Sequence, residues 1–152
     1  MKAVIQRVKS AAVSIEGKTV GAINEGLLIL LGVANGDCEA DAVTLAEKIL
    51  KLRIFSDENG KMNLSVRDIN GQILVVSQFT LLANCRHGNR PDFLESAPPD
   101  SANALYEFFK AYLQRQTGTA VACGVFGADM QVSLVNNGPV TILLDTETLK
   151  KK

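Results

Sequence analysis

The stretch Gly26-Leu27-Leu28-Ile29-Leu30-Leu31-Gly32-Val33 decides the fold of this chain. It is a nearly continuous apolar run between the polar pairs Asn24-Glu25 and Asn35-Gly36. Eight residues are too few for a typical helix, whereas a strand that is buried on both faces shows such a run. We therefore expect this segment to lie in the middle of a β-sheet.

Alternating segments before this run predict its antiparallel neighbours. Apolar and polar residues alternate over residues 4–8, 11–15 and 19–23, and Gly17-Lys18 is a turn signal between the last two segments. A period of two is typical of strands with one buried face. The N-terminal third is therefore predicted to form antiparallel strands.

Two helices are predicted after the apolar run. Apolar residues recur at helical spacing over about residues 39–52, and Asp37 is the expected N-terminal cap. A second helix is expected to begin at Asp100 or Ser101 and to end near Gly118. Its apolar stripe indicates core packing and consists of Leu105, Phe108, Phe109, Tyr112 and Leu113.

The remaining segments add strands and one long loop. A short strand at 53–55 and a buried strand at 73–76 are expected, and Ser77 then stands at the end of a strand. Residues 80–100 lack periodicity and contain three prolines, which predicts a loop of functional length. Alternation at 130–134 and the run 140–144 predict two strands that flank a tight turn, and 150–152 resemble a frayed tail.

Together these elements predict an α+β fold. We expect one domain over residues 1–150, in which an antiparallel or mixed β-sheet or open β-barrel is packed with two main helices.

Composition limits the kinds of site and compartment. The chain has 16 basic and 16 acidic residues, so any contact with RNA is expected to be local. Three widely separated cysteines and one histidine favour neither a disulfide framework nor a metal site. Apolar runs are shorter than the roughly 20 residues of a membrane span, and the first residues lack a signal-peptide pattern. A cytoplasmic protein without membrane contact is expected.

Three segments carry polar residues at structurally unusual places. Ser77-Gln78-Phe79-Thr80 ends a strand, where backbone N–H groups and hydroxyls either stabilise an oxyanion or bond locally to the backbone. In the loop from Cys85 to Phe93, Arg86 and Arg90 suit phosphate contacts, and Phe93 either stacks on a base or anchors the loop. A Cys85/His87 nucleophile pair is a further alternative.

The third segment is Asn136 to Thr141, which contains Gly138-Pro139. Proline removes a ladder donor and is confined to sheet edges and turns. Only about 5–6% of X-Pro bonds in folded proteins are cis. From the residues alone, this segment is interpreted as an Asn-Asn-Gly-Pro turn with a trans proline.

With these segments in view, the chain resembles the D-aminoacyl-tRNA deacylase family over nearly its whole length. The resemblance is carried by ordered matches at 1–8, 26–33, 53–57, 60–63, 76–81, 90–93, 126–130 and 134–141. Many matches at natural spacings make coincidence improbable. The resemblance implies hydrolysis of the ester that joins a D-amino acid to tRNA, with no metal or cofactor.

The resemblance also implies a division of the active site between two subunits of a homodimer. Ser77, Gln78, Phe79 and Thr80 of one chain form the catalytic segment, and Gly138-Pro139 of the facing chain forms the chirality filter. The filter bond is expected to be cis, with both carbonyls turned towards the substrate, so that L-aminoacyl esters clash and glycyl-tRNA passes. Supporting or pocket positions are Arg7, Met130 and Asn136, and the expected tRNA contacts are Arg86, Arg90 and Phe93.

The catalytic route remains open at this stage. One hypothesis is that backbone N–H groups near residues 78–80 polarise the carbonyl while the 2′-hydroxyl of the terminal adenosine positions or activates water. The other is that Thr80 is a covalent nucleophile, although no base is evident beside it. His87, Cys123 and Asn137 depart from the usual family residues. A non-catalytic RNA-binding β module is the competing functional class.

Overall fold

The computed structural model describes residues 1–150. Its strands are β1 (Lys2–Ile15), β2 (Lys18–Ile23), β3 (Gly26–Gly32), β4 (Phe55–Ser56), β5 (Met62–Leu64), β6 (Gln72–Ser77), β7 (Ala122–Cys123) and β8 (Gln131–Asp145). Its helices are α1 (Glu39–Leu50), α2 (Pro99–Thr117) and α3 (Thr146–Lys150), and a 3-10 helix covers Phe79–Leu82.

Strand β3 lies in the middle of the main sheet, as the apolar run predicts. The strand order is β2-β1-β3-β6-β7, with β8 paired to the other edge of β1. All residues of β3 except Leu30 are buried. β3 runs antiparallel to β1 and parallel to β6, and the parallel pair is possible because a long connection containing α1 joins them. The expectation of a mixed sheet is confirmed.

The length of β1 makes the sheet nearly close on itself. Lys2 to Val8 pair with β3, whereas Ala11 to Ile15 pair with β2. On the opposite side, β2 approaches β7 so closely that a Cβ on Gly21 would lie 2.7 Å from the carbonyl oxygen of Cys123. Glycine at position 21 therefore allows the two ends of the sheet to meet.

Two hydrophobic clusters fill the fold. The larger one lies between the sheet and helices α1 and α2, and Leu45, Ile49 and Phe109 are fully buried in it. The smaller one occupies the interior of the curved sheet and contains Val13, Leu28, Leu74 and Val76. Both helices thus bury their apolar faces against one side of the sheet.

The helix predictions are close, with two differences. Helix α1 begins after Cys38, not after an Asp37 cap, because the Asp37 carboxylate instead accepts hydrogen bonds from the Met1 ammonium group at 2.7 Å and from the Ala34 N–H at 2.6 Å. A third helix, α3, follows β8 directly and was not predicted, because five residues are too few for a periodic signal. Lys150 ends α3, whereas Lys151 and Lys152 lie outside the described residues.

The prediction of two strands around a turn at 136–139 is wrong. Residues 131–145 form one strand, and both of its halves pair antiparallel with β1. Gln6 pairs with Thr141 and Val8 pairs with Asn136, so two steps along β1 correspond to five steps along β8. The four residues of β8 between these pairs lie opposite the single residue Arg7 of β1 and form a bulge that contains Gly138 and Pro139, hereafter the 137–140 bulge.

Candidate active site

A cavity of about 820 Å³ opens at the ends of β3 and β6. It is closed on one side by the start of α2 and on another by the chain around Phe126 and Met130. Its walls are largely apolar and include Leu31, Val33, Val76, Ala97, Ala102 and Ala128. The cavity is large enough for a small organic group such as an amino acid or a nucleoside.

The segment Ser77-Gln78-Phe79-Thr80 forms the polar edge of this cavity. Ser77 is the last residue of β6, and Ser77, Gln78 and Phe79 line the cavity. Thr80 is exposed just outside it, and its hydroxyl accepts a hydrogen bond from the Gln78 side-chain amide. The segment thus runs from the last residue of a buried strand into the first turn of the 3-10 helix.

Some backbone N–H groups of this segment donate hydrogen bonds within the chain, and others do not. The Gln78 N–H donates to the Leu31 carbonyl at 2.7 Å, and the Leu81 N–H donates to the Gln78 carbonyl at 3.2 Å. In the described part of the chain, the N–H groups of Phe79 and Thr80 have no such acceptor. Open N–H groups in the first turn of a helix are suited to an incoming oxygen with partial negative charge.

Phe93 joins Phe79 at the rim of the cavity. The two ring centroids lie 5.0 Å apart in an edge-to-face arrangement, and Phe79 is 57% exposed. Asn84 and Asp92 pair across the base of the intervening loop, with N–O distances of 2.9 and 3.0 Å. This pairing places Arg86 and Arg90 in an exposed loop beside the rim, outside the cavity itself.

Among the described residues that line the cavity, none is a carboxylate, lysine, arginine, histidine or cysteine. Tyr106 is buried there and donates its hydroxyl to the Val75 carbonyl at 3.1 Å. Burial raises the pKa of the Tyr106 phenol, so it remains protonated at neutral pH. Cys85 and His87 are exposed and do not line the cavity. The described residues that line the cavity therefore supply no evident general base.

The peptide bond between Gly138 and Pro139 is cis, whereas the residues alone predict a trans bond. Both residues are exposed. Two side chains hold the 137–140 bulge: the Arg7 Nε donates to the Asn137 carbonyl at 2.9 Å, and the Asn136 Oδ1 accepts the Val140 N–H at 3.0 Å. Asn136 also donates to the Gln6 side chain at 2.5 Å, which ties the bulge to β1.

Position 138 has no room for a side chain. Gly138 has φ of +134°, which L side chains rarely adopt, and a Cβ would lie 2.9 Å from the Arg7 Nη2 and 2.8 Å from the Val140 Cγ2. Arg7 continues beyond the bulge, since its Nη1 donates to the Ile54 carbonyl at 2.6 Å. The guanidinium thus links the bulge to the chain segment that follows α1.

Within one chain, the bulge lies away from the Ser77 edge of the cavity, although Val132 of β8 also lines the cavity. Ser77 pairs with Leu31, whereas Gln6, the β1 partner of Thr141 beside the bulge, pairs with Leu28. Along the path β8-β1-β3-β6, three strand spacings separate the bulge from Ser77, about 14 Å across the strands, with about 10 Å along them. Of the expected site residues, the cavity collects Ser77, Gln78, Phe79, Phe93 and Met130, and the bulge collects Arg7, Asn136, Gly138 and Pro139.

Sequence reasoning missed the floor of the cavity. Tyr106 and Phe126 line it, with ring centroids 5.9 Å apart, and Asn35 lies at its edge. Tyr106 is three residues before Phe109, so helical periodicity could have placed it on the buried face of α2. Helical periodicity indicates that a residue is buried, but it does not indicate that a cavity lies beside it.

No grouping of three or more histidine, cysteine, aspartate or glutamate side chains within residues 1–150 could hold a metal ion. None of the helices described in this range combines the length and apolar character needed to cross a membrane.

Comparison with known proteins gives matches over almost the whole chain. The family described as D-Tyr-tRNA(Tyr) deacylase matches residues 4–145. D-aminoacyl-tRNA deacylase from Thermosipho africanus is 61% identical over 147 residues, which cover 97% of this chain and 98% of the relative. The Geobacter sulfurreducens protein of the same name is 59% identical over 97% of each chain.

Solved structures show the same fold. A structure named c-Myc DNA Unwinding Element Binding Protein is 42% identical, with a TM-score of 0.90 over 95% of this chain and 98% of that one. A probable eukaryotic D-amino acid tRNA deacylase is 16% identical, with a TM-score of 0.80 over 94% of this chain and 97% of that one. The second match is evidence for the fold alone.

Proposed function

The chain belongs to the D-Tyr-tRNA(Tyr) deacylase family, and on this basis we propose that it hydrolyses the ester of D-aminoacyl-tRNA and releases the free D-amino acid and tRNA. The observation that carries the proposal is the 61% identity over nearly full length, joined to a cavity that is edged by Ser77-Gln78-Phe79. Because aminoacyl-tRNA is a cytoplasmic substrate, we also propose the cytoplasm as its site of action.

The chirality filter is proposed to be the 137–140 bulge. Gly138 and Pro139 are exposed, and the bulge is held by Arg7 and by Asn136, so it offers backbone atoms on a fixed support. Such a probe would clash with an L side chain at the substrate α-carbon and would leave room for a D side chain. Glycyl-tRNA has no side chain to clash, and we propose that it is also cleaved.

A homodimer is proposed because the bulge and the cavity are far apart within one chain. Strand β8 is an edge strand that pairs with β1, and its exposed apolar side chains are Val132, Leu134, Val135 and Leu143. An apolar edge of this length favours cover by another chain. In a two-fold dimer, the bulge end of each subunit can lie against the cavity end of the other.

The catalytic step is proposed to depend on backbone donors and on the RNA. The N–H groups of Phe79 and Thr80 are available to stabilise the oxyanion that forms when water attacks the ester carbonyl. The cavity lining supplies no evident base, and the Thr80 hydroxyl is already engaged by Gln78. The 2′-hydroxyl of the terminal adenosine is therefore the proposed group that positions or activates water.

The tRNA contacts nearest the cavity are proposed to be Arg86, Arg90 and Phe93. The two arginines are exposed beside the rim, and guanidinium groups suit phosphate oxygens. Phe93, in contact with Phe79, offers an aromatic surface where the terminal nucleotides would enter.

The function is tested by incubating the protein with D-tyrosyl-, L-tyrosyl- and glycyl-tRNA and measuring release of the amino acid. Turnover of the D and glycyl esters with the L ester intact is expected, and a D-tyrosyl-tRNA with a 2′-deoxy terminal adenosine should remain uncleaved. Binding without turnover would instead support a nucleic-acid-binding protein, a class to which the name of the 42% identical structure also points. Loss of turnover in Cys85→Ala would support the thiol alternative.

A further inference from the structure

We infer that a second RNA-binding surface, formed by Lys51, Arg53, Arg67 and Arg115, contacts the phosphate backbone of the tRNA whose acceptor end occupies the partner subunit's cavity. We call these four residues the basic surface. The inference rests on the proposed function, because it uses the proposed arrangement of the two subunits.

The fold gathers these residues from distant parts of the chain. Lys51 follows α1, Arg67 lies between β5 and β6, and Arg115 is in the last turn of α2. The guanidinium carbon of Arg115 lies 5.8 Å from the centroid of the Tyr112 ring. The Arg67 Nη2 lies 3.5 Å from the Gln116 side-chain oxygen, one residue after Arg115. The C-terminal ends of both long helices therefore meet at the basic surface.

The positive charge at this surface is only partly neutralised. In the part of the chain that the structure describes, Arg53, Arg67 and Arg115 form no ion pair. The nearby carboxylates are already engaged. Glu47 pairs with Lys51 at 2.7 Å and accepts the Tyr112 hydroxyl at 2.9 Å.

Asp68, the carboxylate near Arg53, is occupied in a similar way. It accepts the Ser65 N–H at 2.7 Å, and this hydrogen bond lowers the pKa of the Asp68 carboxyl. Hydrogen bonds from Lys51 and Tyr112 likewise lower the pKa of Glu47. Four cations thus face the two carboxylates Glu47 and Asp68, and the excess of cations leaves the surface with a net positive charge that suits an external anion.

The position of the basic surface points to tRNA as that anion. Arg53 precedes Ile54, whose carbonyl accepts Arg7, and the same guanidinium holds the Asn137 carbonyl of the bulge. The basic surface and the bulge thus belong to one end of the subunit, away from the Ser77 edge of its own cavity. In the proposed dimer, the basic surface therefore lies beside the partner subunit's cavity that the bulge enters, within reach of the RNA bound there.

Charge and geometry agree with a phosphodiester ligand. The whole chain has 16 basic and 16 acidic residues, so an excess of arginine at one place is a local feature. Guanidinium groups match phosphate oxygens with paired donors. Arg86 and Arg90 lie at the cavity end, so each tRNA would be held near its terminus by one subunit and along its body by the other.

The inference is tested by the binding of uncharged tRNA, measured by fluorescence anisotropy over a series of NaCl concentrations. Arg67→Gln and Arg115→Gln should each weaken binding severalfold at about 0.1 M salt and lower the slope of log Kd against log salt by about 1, and the double variant should lower it by about 2. Lys18→Gln removes one exposed cation from the β1–β2 hairpin and should change neither value. An unchanged slope and Kd in the double variant would overturn the inference.

A second measurement separates RNA contact from structural damage. The double variant should show a raised KM for D-tyrosyl-tRNA and an unchanged kcat/KM for D-tyrosyl-adenosine, which lacks the tRNA body. Equal losses on both substrates would contradict a role in RNA binding. If the wild-type protein cleaves neither substrate, the proposed function fails, and the tRNA titration still decides whether the basic surface binds RNA.

Discussion

At Phe79 and Gly138, backbone atoms and not side chains carry the proposed chemistry. The Phe79 N–H is open at the start of the 3-10 helix, and Gly138 presents its backbone on a bulge held by Arg7. Neither role could be deduced from residue type, since phenylalanine and glycine have no reactive side chain. The resemblance to a family indicated these positions, and the structure gives their hydrogen-bonding environment.

The Phe79 N–H is tested by the pair Phe79→Pro and Phe79→Ala. Proline removes the N–H at a first helical position, which proline tolerates, whereas alanine keeps the N–H and removes the same ring. We expect kcat on D-tyrosyl-tRNA to fall about 100-fold or more in Phe79→Pro relative to Phe79→Ala, as for loss of one oxyanion donor. Equal rates of the two variants in single-turnover assays would exclude this N–H from the reaction.

Gly138→Ala tests the steric limit at the filter. The new methyl would meet the Arg7 guanidinium, and alanine is strained at a φ of +134°, so either the Arg7 side chain that holds the bulge or the bulge itself must shift. A displacement of about 1 Å at a positioned site costs about 100-fold in rate, and we expect a loss of this size on D-tyrosyl-tRNA.

Gly36→Ala is the matched control for this variant. Gly36 also has a positive φ, of +83°, but a Cβ there meets nothing within 4 Å. Gly36→Ala should lose about 1 kcal/mol of stability in urea unfolding and keep its activity, whereas Gly138→Ala should lose more stability, because of its close contacts, and also lose activity. Equal activity losses would show that backbone strain, and not the filter position, is responsible.

At the scale of elements, periodic patterns predict what lies in the core, and interruptions of pattern are harder to interpret. The run 26–33 and the spacing in 39–52 give β3 and α1 within two residues, because burial on a sheet enforces both periods. The sequence of the bulge in β8 predicts a turn, because Asn-Asn-Gly-Pro has the residues of a turn whether it joins two strands or interrupts one. Only the pairing of both halves of β8 with β1 distinguishes a bulge from a turn.

Asp41 links α1 to α3 and predicts a dependence of stability on pH. Burial alone would raise the pKa of Asp41, but hydrogen bonds from Lys150 and Cys38 outweigh it and lower the pKa to about 2. A carboxyl with a depressed pKa stabilises the fold above its ordinary value of 3.8, and the contribution is lost as the pH falls towards 2.

Asp41→Asn should therefore destabilise the protein by about 2 kcal/mol at pH 7 and by much less at pH 2.5. The measurement is urea unfolding at both pH values, with Asp100→Asn, an exposed change in the first turn of α2, as the control. A deficit that is the same at both pH values would show that the ionised form of Asp41 does not stabilise the link.

At the scale of the whole molecule, the cavity and the bulge explain why one chain carries half of each proposed site. Sequence patterns could not reveal this, because apolar alternation in β8 looks the same whether a face is covered by the core or by a second subunit. The exposed Val135 and Leu143, at 53% and 73%, become informative only once the strand is placed at the sheet edge.

Val135→Asp should convert the protein to a monomer and abolish hydrolysis of D-tyrosyl-tRNA, because a charge would be buried in the proposed contact. Sedimentation velocity measures the first effect. Val20→Asp, at a 44% exposed position on β2, should retain the wild-type mass and activity. A fully active monomer of Val135→Asp would contradict the composite site.

The composite site is tested most directly by mixing two inactive variants, Phe79→Pro and Gly138→Ala, after reversible dissociation. In a random mixture, half of the dimers contain one chain of each kind, and one of the two sites in such a dimer combines an intact cavity edge with an intact bulge. We predict that the mixture recovers about a quarter of the wild-type rate on D-tyrosyl-tRNA, whereas each variant alone does not. If the bulge acts on the cavity of its own chain, no site is intact and no activity returns, and that result would contradict the account.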